Sequence, residues 1–131
     1  MSTPLVPSGW TVTRLLNHLA FDDEMFWISA VIGRNTAAIR ALHDGWHSVP
    51  MTGVDAVRIY REQIISSDKV LAEVDLDAPP RWWPPASQFD QPPISDGHEV
   101  AFRVLAETSV HAGHLDIVRE LIDGHQNLVV N

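Results

Sequence analysis

The stretch ETSVHAGHLDIVRELIDG, Glu107 to Gly124, decides how the rest of the chain is read. Its apolar residues return at three- and four-residue intervals, it has no proline, and it stops at a glycine, the residue that most easily takes the left-handed conformation after a helix. Extended back to His98, the same pattern predicts a helix over 98–123. On a wheel of about 100° per residue, Val100, Val104, Leu115, Val118 and Ile122 form an apolar arc roughly 60° wide. Glu107 and His111 lie within about 20° of that arc, and His114 some 40° to one side. Thr108, Ser109, Asp116, Arg119, Glu120 and Asp123 take the opposite side. One helix therefore aims a carboxylate and an imidazole where a core is expected.

An ionised carboxylate taken out of water without a partner costs several kcal/mol, so Glu107 must be neutralised, paired or bound to a metal. Arg103, one turn earlier, offers a simple ion pair, and His111 a hydrogen bond. His18 adds a third possibility. It stands in the middle of another predicted helix, so His18, Glu107 and His111 are three nitrogen and oxygen donors drawn from two helices. Three such donors leave coordination positions open, as in catalytic metal sites, and they suit Zn²⁺, Ni²⁺ or Fe²⁺.

The remaining helices follow from the same periodicity. Thr11, or alternatively Ser8, is an N-cap for a helix from Val12 to about Val31. Val12, Leu15, Leu16, Leu19, Phe26 and Ala30 share one arc; Phe21, Met25, Ile28 and Ile32 share a second, with His18 at its edge and Asp22 one turn on. A helix apolar on two sides packs between neighbours. Asn35–His43 reads as a short helix, broken by Asp44-Gly45 and Pro50. Val54–Val74 reads as another, with an apolar stripe of Val54, Val57, Tyr60, Ile64, Ile65 and Leu71. Residues 75–97 hold six of the nine prolines and read as a long connection. Trp82 and Trp83 in that connection are candidates for a lid over a substrate, or for plain apolar filler over one end of the bundle. No strand and no repeat is evident. The expectation is an all-α antiparallel bundle, with residues 1–131 as one domain.

Composition narrows the function. The net charge of -8 argues against nucleic acid and anionic lipid as partners. No apolar run reaches the roughly 18 residues of a membrane span, and MSTPLVPSGW is not a signal peptide, so a cytoplasmic location is expected. With no cysteine in the chain, disulfides, thiolate ligands and a cysteine nucleophile are excluded, and any thiol must come from outside. Of the seven histidines, His43, His47, His98 and His125 fall near helix ends or in loops and read as ordinary surface residues.

SGWTVTRLLNHLA at 8–20 and AETSVHAGHLDIVRELIDG at 106–124 resemble the DinB-like superfamily, in particular an actinobacterial branch related to mycothiol-dependent maleylpyruvate isomerase and thiol S-transferases. The resemblance implies a four-helix bundle of up-down-down-up type with a divalent metal in a cleft at one end. It implies His18, Glu107 and His111 as the metal ligands. His114 stands where many relatives carry Gln, which implies a residue on the substrate side that contacts substrate or moves a proton. Asp22 would orient His18. Relatives carry a further helix ahead of the PSGW segment, so the DinB-like bundle here is expected to lack its first helix and to cover the exposed faces as a homodimer. The activity implied is a metal-dependent transferase or isomerase that uses a low-molecular-weight thiol such as mycothiol, bound to the metal as thiolate, against an electrophile. A hydrolase working through metal-activated water, and a non-catalytic helical interaction protein, are the alternatives.

Overall fold

The computed structural model describes residues 11–44 and 51–124. The described residues form helices and connections, with no strand, in the order α1 (Val12–His18) running on into a π-helical segment (Leu19–Ile32), α2 (Thr36–Asp44), α3 (Gly53–Glu73) and α4 (Gly97–Asp123). Local chemistry accounts for the helix starts. The Thr11 hydroxyl accepts from the Arg14 amide at 3.1 Å. Thr52 and Asp55 satisfy each other's backbone amides in a reciprocal box. The Asp96 carboxylate accepts from the Glu99 amide, so α4 begins one residue before the predicted His98. Gly124 ends it with φ of 73°, the left-handed conformation expected there. The alternative cap Ser8 lies outside the described residues.

The winding of the first helix was not expected. From Leu19 onward each turn takes in one more residue than an α-helix, and the segment closes with the Gly33 amide donating to the Ile28 carbonyl at 3.0 Å. This is the hub of the molecule. Helices α2, α3 and α4 all pack on it, and they make no comparably extensive contact with one another. The two-sided burial expected for it is present: Leu19, Ala20, Phe21, Met25, Trp27, Ile28, Ala30, Val31 and Ile32 are all buried. One cluster joins Trp27, Ile28, Val31 and Ile32 to Val100 and Val104 of α4; a second joins Ala20, Phe21, Met25 and Ala30 to Ala38 of α2.

The 75–97 connection is pinned down. The Trp82 amide donates to the Val31 carbonyl, Gly97 to Ala78, and His98 to Leu76. Gly97 has to be small, because a Cβ there would meet Leu76 at 3.0–3.2 Å. Three predicted core assignments need correction. Val54 and Ile65, placed in the α3 stripe, are exposed, as is Ile122 on α4. In each case the face is apolar, but no described element covers it.

Candidate metal centre

The long helix and α4 lie side by side, and this brings His18 and the Glu107/His111 pair together. One ligand atom from each of the three residues lies within 4.8 Å of the other two. His18 comes from the last turn of α1, just where the π-helical winding begins. Glu107 and His111 are successive turns of α4, and the Glu107 Oε2 atom sits 3.1 Å from His111 Nε2 and 3.7 Å from His18 Nε2. The two imidazoles meet edge to face, their centroids 4.8 Å apart.

The arrangement fits a divalent ion. Bonds of about 2.0–2.2 Å in a tetrahedral set hold ligand atoms roughly 3.2–3.6 Å apart. The two distances to Glu107 Oε2, 3.1 and 3.7 Å, straddle that range. His18 Nδ1 is 2.8 Å from Asp22 Oδ2. That bond turns Nε2 toward Glu107 and leaves its lone pair for a ligand, the usual carboxylate–histidine support of a metal site. The donor set holds two imidazoles, one carboxylate and no thiolate, which suits zinc and equally nickel or iron(II).

Glu107 is less buried than the wheel suggests. Its side chain is 46 % exposed against 24 % for His18 and 17 % for His111. The wheel places Glu107 just outside the apolar arc, toward the open face of α4, while Val118 farther along that arc is buried. The alternative partner Arg103 is engaged elsewhere, its guanidinium 4.7 Å above the Trp27 ring. His114 is half-buried on the same side of α4, outside the three-residue cluster.

Trp82 and Trp83 are not brought to the cluster. They pack farther along the long helix, where Trp83 lies against Trp27 and Phe89 at 6.0 and 5.6 Å between centroids and its indole donates to the Gln91 carbonyl. His98 bonds Asp77 at 3.0 Å. His47, His125 and the side chain of His43 lie outside the described residues.

Asp23 is the residue that the patterns do not single out. It is 2 % exposed, and its Oδ2 atom has no hydrogen-bond partner among the described residues. Burial pushes its carboxyl up to about 7, the His18 charge pulls it down, and the charges of Glu107, Asp22 and Glu24 push it further up. Burial and the nearby Glu24 and Asp23 carboxylates also raise the Tyr60 phenol. The sequence did carry a signal: the wheel sets Asp23 between Leu16 and Leu19, on the apolar arc.

A family model described as mycothiol-S-transferase matches residues 1–124. The chain belongs to the mycothiol-S-transferase family. Membership agrees with the all-helical bundle and with the resemblance to the mycothiol-related DinB-like branch. No curated protein and no solved structure matches the chain. No helix among the described residues is long and apolar enough to cross a membrane. For the mycothiol-S-transferase family a low-molecular-weight thiol is the expected co-substrate, and the cysteine-free composition agrees with a nucleophile brought from outside.

Proposed function

We propose that this chain is a divalent-metal-dependent transferase or isomerase that uses mycothiol or a similar small thiol to attack an electrophile. The convergence of His18, Glu107 and His111 within 4.8 Å carries the reading. Those three residues would hold a divalent ion, zinc by preference, which would favour the thiolate form of a thiol bound to it near neutral pH.

The chain's own residues supply the rest. Asp22 holds the His18 ring in one tautomer. Glu107 would offset one positive charge of a bound ion, and its exposed edge would leave a thiol an approach from solvent. His114, half-buried beside the cluster, accepts or returns the substrate proton. The packing of Trp82 and Trp83 against Trp27 and the 75–97 connection favours their filler role over a lid. The setting is the cytoplasm, a compartment that keeps small thiols reduced, and residues 1–131 act as one domain. The reading includes a second copy as partner, argued below on separate observations.

The test is metal content and zinc titration of dialysed, untagged protein beside His111→Ala and Glu107→Ala. The expected result is close to one ion per chain, lost in both variants, followed by thiol consumption with a suitable electrophile. Turnover that needs the metal but no thiol would replace this reading with hydrolysis. Absence of metal, with no rise in stability on adding Zn²⁺ or Ni²⁺, would remove the enzymatic readings altogether.

A further inference from the structure

Helix α4 carries a second apolar stripe that no described element covers. Phe102, Ala106, Val110, Gly113, Ile117 and Leu121 recur at intervals of four, four, three, four and four residues, which keeps them on one face. The face packed on the long helix is a different one, built from Val100, Val104 and Val118. Phe102, Val110, Ile117 and Leu121 are 68, 69, 59 and 61 % exposed. Ala106 and Gly113 are exposed as well, and a Cβ on Gly113 would meet nothing within 4 Å. The stripe is about 28 Å long at about 1.5 Å per residue. A continuous apolar strip of this length marks an interaction surface.

The order of side chains along the stripe says what covers it. Turned end for end, the stripe fits itself. In an antiparallel pair centred between His111 and Ala112, Phe102 comes level with the partner's Leu121, Ala106 with the partner's Ile117, and Val110 with the partner's Gly113. Two layers then set a small residue against a large branched one, so that side chains interlock and the backbones approach closely near the middle. A parallel pair would stack Gly113 on Gly113 and Phe102 on Phe102, leaving a gap at the centre and crowding at the end.

We propose that a second copy of this chain packs antiparallel on the Phe102–Leu121 stripe, about a two-fold axis near residues 111–112. Such an interface is isologous: each contact occurs twice. On the helix wheel, His114 and Glu107 border the stripe on the side toward the long helix. The partner's helix therefore forms one wall beside the histidine cluster. The inference stands on this helix face and not on the chemistry of the cluster, so loss of metal and loss of the dimer are separate failures.

Sedimentation equilibrium of the full chain over micromolar concentrations tests it. A dimer is expected, and Ile117→Glu, with helicity unchanged by circular dichroism, weakens it tenfold or more. The orientation is read by oxidative cross-linking, made clean by the absence of native cysteine. In the Val110→Cys variant the two thiols are offset by only about 4.5 Å along the helix axes, and the pair cross-links. In the Phe102→Cys variant they stand about 28 Å apart, and it does not. A monomer at every concentration overturns the proposal, and so does cross-linking of Phe102→Cys as readily as Val110→Cys.

Discussion

The two ends of the long helix are built on opposite principles. Around Trp27, Ile28, Val31 and Ile32 the neighbours are apolar: Val100 and Val104 from α4, with Trp82, Trp83 and Phe89 from the connection. Around His18 they are ionisable: Asp22, Asp23, Glu107 and His111. Both ends use the same two helices, and only the side chains change. Water is excluded from the apolar end, while the polar end, with His18 and Glu107 partly open to solvent, is where the proposed chemistry would sit.

The largest expected effect breaks the apolar end. Trp27→Ala removes the ring that touches Phe26, Trp83, Phe89 and the Arg103 guanidinium. It should cost about 3–5 kcal/mol in urea unfolding, while zinc affinity of the folded fraction stays within about twofold of the unaltered chain, by the additivity of distant sites. A comparable loss of zinc affinity would show that the two ends are not independent.

Asp23 sharpens the comparison, since it places a burial cost inside the polar end. Its carboxyl titrates near 7 in the folded chain against 3.8 without that environment. Between those values the folded chain holds a proton that the unfolded chain has released. The Asp23 contribution to the stability of the metal-free protein therefore falls as pH rises from about 4 to about 7, and changes no further above that. Asp23→Asn removes this part of the slope and leaves the part that belongs to Glu24, whose carboxyl burial also raises. At pH 8 it should be more stable than the unaltered chain by roughly 2–4 kcal/mol, and at pH 3 the two should match. Urea unfolding of metal-free protein at several pH values measures the difference; parallel curves would refute it.

A smaller effect belongs to Asp22. Asp22→Ala frees the His18 ring and should weaken zinc binding about 10–100-fold, as loss of such supporting carboxylates does. Calorimetric titration with a competing chelator reads the change. Unaltered affinity would mean that packing alone orients His18.

What the sequence made legible follows the same division between local and distant causes. Helix ends were readable where caps are local: Thr11 and Gly124 lie where single residues put them. The grouping of Glu107 with His111 was readable because i, i+4 spacing fixes a side of a helix. Three things were hidden. The π-helical winding of Leu19–Ile32 is a choice of hydrogen-bond register that apolar spacing does not encode. The exposure of Val54, Ile65 and Ile122 depends on whether a neighbour exists, and an apolar stripe only says that one is wanted. The fate of Arg103 turned on Trp27, far away in sequence, whose ring outcompeted the carboxylate one turn along.

The exposed edge of Glu107 has a kinetic meaning as well. An ion held by His18, Glu107 and His111 would sit at an open rim, where water can replace one ligand at a time without the helices parting. Loading and stripping would then be governed by ligand exchange and by the free ion concentration outside, not by the rate at which the protein unfolds. A strong chelator would then strip the ion from folded protein, whereas plain dialysis would leave a tightly held ion in place.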